Sequence, residues 1–98
     1  TRRVTMIKIF TDIQTQLVFD GLVSRRLPFD IQRIALKKLE LLNGAKDLRD
    51  LLVFPANRLE KLSGDRIGQY SIRINDKWRI CFLWEESNAY EVEIINYH

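Results

Sequence analysis

The 98-residue chain has one cysteine and one histidine, so no disulfide framework and no set of soft ligands for a structural zinc can be assembled from it. Such thiol poverty fits a reducing, cytoplasmic setting. No apolar run approaches the roughly twenty residues needed to cross a bilayer, and no charged start leads into an apolar stretch and a small-residue cleavage site. Secretion and membrane insertion are unsupported. A Gly-rich phosphate loop is missing as well, because Ser63-Gly64-Asp65-Arg66-Ile67-Gly68 has neither the spacing nor the Lys-Ser/Thr end of a P-loop. The length leaves no room for a second domain, and an enclosed cofactor cavity would remove core that a chain this small can hardly spare. No cofactor and no metal are expected, and function belongs on a surface or shallow groove. Even the charge is small. The formal +3 falls to +1 if Thr1–Thr5, which carry Arg2 and Arg3, are an expression-derived or disordered leader before a natural M-I-K-I-F start at Met6. The expected division is therefore 1–5 leader and 6–98 a single domain.

What is present is a 46% hydrophobic composition arranged in two textures. Ile7–Phe10 reads as a short strand, stopped by Thr11 and Asp12, either of which can cap a helix. That helix runs from Ile13 to about Leu22, with Ile13 and Leu17 on its apolar side and Gly21 as its stop. Asp30 is then expected to cap a second helix in which Ile31, Ile34, Ala35, Leu39 and Leu42 recur at three- and four-residue spacing, ending at Gly44. Its opposite side shows Arg33, Lys37 and Lys38, read as a solvated face. Leu48–Leu52 adds one helical turn before Pro55. From Tyr70 onward the period becomes two: Tyr70, Ile72 and Ile74; then Trp78, Ile80, Phe82 and Trp84; then Tyr90, Val92 and Ile94. Short connections make these antiparallel hairpins. The predicted fold is α+β, with a short N-terminal strand and two helices packed on one face of a small antiparallel β-sheet.

Hairpin parity carries chemistry. If Ile74 opposes Trp78, then Ile72 meets Ile80 and Tyr70 meets Phe82 on the core side, and Arg73 lies opposite Arg79 on the other. Directly opposed like charges cost a few tenths to about 1 kcal/mol, which asks for an anion between them. A phosphate would match the guanidinium forks. Neutralisation by Glu91 or Glu93 on the same face is the competing reading. The same parity in the second hairpin opposes Phe82 with Val92, Ile80 with Ile94 and Arg79 with Ile95, making Tyr97 a diagonal neighbour of Arg79. There Tyr97 either stacks on a base and bonds a phosphate or sugar, or simply covers Ile95. His98 is the one side chain suited to proton transfer near neutral pH, set against the ordinary fate of a terminal residue, which is to fray. Cys81 reads as a small half-buried filler.

The stretch R-L-E-K-L-S-G-D-R-I-G-Q-Y-S-I-R-I-N-D-K-W-R-I-C-F, Arg58 to Phe82, closely resembles the HigB branch of the RelE/ParE toxin superfamily, and the terminal I-I-N-Y-H extends the match. The resemblance implies a RelE-like ribonuclease-type fold and a bacterial type II toxin that enters the ribosomal A site and cuts mRNA without a metal. The RNA's own 2′-hydroxyl would attack the adjacent phosphate and leave a cyclic phosphate. It implies a HigA-like helix-turn-helix antitoxin as partner, with operator DNA reached only through that antitoxin. Carried over by position, Arg79 matches the arginine that stabilises the transition state, Arg73 a basic strand position, and Tyr97 with His98 the terminal pair associated with activity. Arg58, Lys61 and Arg66, with Lys77 beyond them, would hold RNA. The sequence departs from better-known members at Glu60, where they carry histidine, and at Asn96, where they carry aspartate. Glu60 is a candidate general base, while Asn96 can only hydrogen-bond. The alternatives are a ParE-like gyrase inhibitor and a catalytically weakened RNA-binding relic.

Overall fold

The computed structural model describes residues 7–96, so the leader expected at Thr1–Thr5 and the terminal pair Tyr97 and His98 lie outside the described residues. Helix α1 spans Ile13–Phe19, and the extended Asp12 caps it by accepting the Thr15 amide at 2.9 Å. It stops short of Leu22 because Gly21 turns left-handed at φ 80°. Ile13 is 59% exposed, and the buried residues are instead Thr15, Val18 and Phe19. Thr15 is inward for a reason: its hydroxyl accepts the Ile94 amide at 2.9 Å, tying α1 to the last strand.

Helix α2 spans Phe29–Gly44, with Ile31, Ala35, Leu39 and Leu42 buried as the spacing predicts. Ile34 falls off that stripe and is 40% exposed. Asp30 is not the cap. Pro28 holds that position without a side-chain bond, and Asp30 sits inside the first turn, where its charge complements the positive end of the helix. Helix α3, Leu48–Leu52, opens with a reciprocal capping box between Asp47 and Asp50, and a 3-10 turn at Pro55–Asn57 follows.

The sheet has four antiparallel strands in the order β1 (Glu60–Lys61), β2 (Gln69–Arg73), β3 (Trp78–Glu85) and β4 (Asn88–Asn96). The two-residue edge strand β1 is an addition to the three that alternation predicts. No strand forms at Ile7–Phe10, which corrects the expected N-terminal strand. Only isolated parallel bridges join Ile7 to Ala89 and Phe10 to Val92. Between the two bridges β4 carries Glu91 at φ 50°, and the Ile7 amide is taken by the buried Asn43 side chain of α2 at 3.1 Å.

The β2–β3 register is the predicted one, with Tyr70 opposite Phe82, Ile72 opposite Ile80 and Arg73 opposite Arg79. In β3–β4 the pairs Ile80–Ile94 and Arg79–Ile95 also hold, but the expected Phe82–Val92 pairing gives way to a bulge between Cys81 and Leu83. Glu91 sits there at φ 50° as the extra residue. The slip moves Tyr90 opposite Leu83 and places Ala89 opposite Trp84, so Ala89 is buried in the core and Tyr90 is not. The β3–β4 hairpin closes on Glu86 and Ser87, both at positive φ (49° and 64°), a two-residue turn of the primed type. Helices cover one face, where Ile31, Leu39 and Leu42 meet Ile72, Ile80 and Phe82. Ser71, Arg73, Arg79 and Cys81 occupy the other.

Candidate functional site

Arg79 is the centre of that second face. Strand β3 is interior, so its side chain leaves the sheet among neighbours, and Arg79 is only 7% exposed rather than open to solvent as an outer-face residue would be. Its Nε donates to the Ser71 hydroxyl at 2.7 Å, and its Nη2 donates to the Arg58 carbonyl at 2.5 Å. Both acceptors are fixed by local structure. Ser71 lies in β2 opposite Glu60 of β1, while Arg58 ends the 3-10 turn in the left-handed region at φ 43° and so turns its carbonyl inward. A guanidinium held on two sides has its plane set before any anion arrives.

The carboxylates around the arginines differ from those alternation suggests. Glu60 lies 3.6 Å from Arg79, and Asp76, from the β2–β3 hairpin, forms an ion pair with Arg73. Glu93 instead joins Arg66 at 3.4 Å, and Glu91 is the exposed bulge residue. The carboxylates seen paired with Arg79 and Arg73 are therefore Glu60 and Asp76. Arg66 also donates to Gln69 at 2.9 Å. Beneath it Cys81 is fully buried, and that burial pushes its thiol up, against a smaller opposing pull from Arg66. A buried thiol with a raised value is a filler, not a nucleophile.

Arg58 and Lys61 are exposed on the turn and edge strand, and Lys77 is exposed at the hairpin tip. They belong to the β1–β2–β3 part of the sheet, but Lys61, at the register of Tyr70, is on the opposite face from Arg73 and Arg79. Arg58–Arg79 carries six cations against three anions, whereas Glu85 onward carries four carboxylates and no Lys or Arg. Asn96 is the last described residue, opposite Trp78 at the end of β4. Among the described residues no three His, Cys, Asp or Glu side chains gather as a metal-binding group, and no helix is long and apolar enough to cross a membrane.

Sequence reasoning passed over three residues here. Ser71 was legible, since it shares parity with Arg73 on β2. Asp76 lies in a turn, where strand parity has no force. Lys38, placed on a solvated face beside Lys37, instead turns inward and reaches the buried Asn57 side chain at 2.5 Å.

Comparisons with known proteins place this geometry. A family model described as the RelE-like toxin of type II toxin-antitoxin system HigB matches residues 8–98. Toxin HigB-1 of Vibrio cholerae is 38% identical over 65 residues, covering 66% of this chain and 68% of that protein. The protein named Endoribonuclease HigB from Proteus vulgaris is 33% identical over 98 residues, covering 95% of this chain and all of that one. An uncharacterised Haemophilus influenzae protein is 29% identical over 64 residues, covering 65% and 63%. Since the family model spans nearly the whole chain, helices and arginine-bearing sheet together, the chain belongs to the HigB-like, RelE-like toxins of type II toxin-antitoxin systems, and a cognate antitoxin is its partner.

Proposed function

We propose that this toxin is a ribosome-dependent mRNA endoribonuclease. The observation that carries the reading is the buried, doubly held Arg79 directly opposite Arg73. Two cations opposed across a ladder, each with a carboxylate partner of its own in Glu60 and Asp76, can exchange those partners for a phosphate and for the extra negative charge of its five-coordinate transition state. The Proteus vulgaris relative's name supports the same chemistry. In this reading the nucleophile belongs to the substrate. The ribose 2′-hydroxyl attacks the adjacent phosphorus, the bond from phosphorus to the 5′-oxygen breaks, and a 2′,3′-cyclic phosphate and a 5′-hydroxyl result. The chain has to orient the phosphate, accept one proton and return one. Arg79 and Arg73 hold the phosphate. Glu60, beside Arg79, and His98, with Tyr97, are the proton-handling and base-contacting residues of the proposal. Arg58, Lys61, Arg66 and Lys77 track the RNA backbone and ribosomal RNA. A small helix-turn-helix antitoxin similar to HigA neutralises the toxin and carries it to operator DNA.

Inducing the chain in bacteria is expected to arrest growth and to create new mRNA 5′-ends inside translated regions. Arg79→Ala should lower cleavage by roughly 10²- to 10³-fold, the scale seen when one transition-state donor is removed. Arg79→Lys should recover little, because an ammonium cannot reproduce the fork that reaches Ser71 and Arg58 together. Arrest with intact mRNA and poisoned gyrase would overturn this reading in favour of a ParE-like one, and absence of toxicity would favour a relic.

A further inference from the structure

The 3-10 turn Pro55–Asn57 and the residue after it hold cations from both layers of the fold. Arg58 offers its carbonyl to Arg79 of β3 at 2.5 Å. The preceding residue, Asn57, offers its side-chain oxygen to the Lys38 ammonium of α2 at 2.5 Å. Asn57 is fully buried, and its amide nitrogen donates to the Leu51 carbonyl at 3.0 Å. The amide therefore has one orientation: the nitrogen faces an acceptor and the oxygen faces a donor. The acceptors of the two cations thus belong to adjacent residues of one turn.

Nothing about helix stability asks for Lys38 to be there. A lysine on this helix could leave its ammonium in water, yet here it gives up rotamer freedom and hydration. Arg73 repels it as well, and burial and that repulsion, in that order, hold its value below the ordinary lysine range. A half-buried cation beside a second cation is stabilised when an anion binds to it.

We infer that Lys38 is a substrate-binding residue that holds the RNA phosphate next to the one seated between Arg73 and Arg79, with Asn57 as its positioning residue. The inference rests on the endoribonuclease reading and extends it: the site binds two consecutive phosphates, one from the sheet and one from the helical layer. The required substrate is then a polynucleotide strand and not a single phosphodiester.

The test is single-turnover cleavage of mRNA in programmed ribosomes, with purified wild type, Lys38→Met and Lys38→Arg, each checked for its melting temperature. Met keeps the length of the stem without the charge. Lys38→Met is expected to need about tenfold more toxin for half-maximal rate, with the saturated rate falling less. Its log-log dependence on salt should be shallower by about 0.7, the share of one phosphate contact on a single strand. Lys38→Arg should return both values towards wild type. If wild type cuts and Lys38→Met matches it within twofold, the inference fails and the endoribonuclease reading stands. If Met and Arg are equally impaired with an unchanged salt slope, Lys38 is only a structural partner of Asn57 and the inference fails. If wild type does not cut at all, the endoribonuclease reading itself fails, and the inference with it.

Discussion

The Ser71 hydroxyl accepts the Arg79 Nε–H at 2.7 Å in a place where both side chains are buried. Removing one partner of a buried hydrogen bond to a charge leaves the other without its water, which costs about 1 to 3 kcal/mol. Ser71→Ala should lower unfolding free energy by that amount in urea and slow cleavage about tenfold, since the guanidinium plane loses one of its two fixed edges. A second residue-scale prediction concerns Lys38. Its folded value lies below 10.5, first through burial and then through Arg73. Between the folded value and 10.5 the unfolded chain binds more protons, so this group's contribution to stability rises with pH across that window and is flat below it. Lys38→Met should abolish that rise, measured by urea unfolding at a series of pH values approaching 10.5 from below; parallel curves for the two proteins would refute it. At this scale Arg73 and Arg79 were readable, because β-strand parity is rigid and two tryptophans and five β-branched residues anchor the register. Lys38 was not, because a helix allows a long side chain to lean either way, and only the position of Asn57 decides.

Among the elements, the tight β3–β4 turn departs most from what its sequence favours. Glu86 and Ser87 both adopt positive φ, which suits Asn and Gly far better. Glu86→Asn with Ser87→Gly should therefore raise unfolding free energy by about 1 kcal/mol and leave cleavage unchanged, the turn being remote from Arg79 along the strand. Alternation revealed β2, β3 and most of β4. It failed at the bulge, because the extra residue at Glu91 reverses parity for everything before it and nothing local in the sequence announces that reversal. The N-terminal strand failed for a related reason. Ile7–Phe10 has a strand's composition, but its two bridges, at Ala89 and Val92, lie on either side of the bulge residue Glu91, where β4 is not regular. The short β1 is set by pairing with β2 and not by its own residues, Glu60 and Lys61, which have little intrinsic preference for a strand.

Across the whole molecule the charge is distributed by layer and by sequence. The cationic stretch Arg58–Arg79 occupies one end of the sheet, and the carboxylate-bearing segment from Glu85 fills the other. A chain whose net charge is small thus presents a local field able to orient it on a polyanion. The two-layer division was legible from the switch in periodicity, but the contact between layers at Asn57 was not, since it joins residues nineteen apart, Lys38 and Asn57, through a turn. The same topology fixes an order of assembly. Arg79 lies in β3, whose outer neighbour β4 must pair with it through Ile95, and the Ile7–Phe10 segment bridges β4 in turn. Domains acquire structure as their parts emerge during synthesis. The arginine face therefore closes only after β4 has been made as far as Ile95, the partner of Arg79 in the ladder.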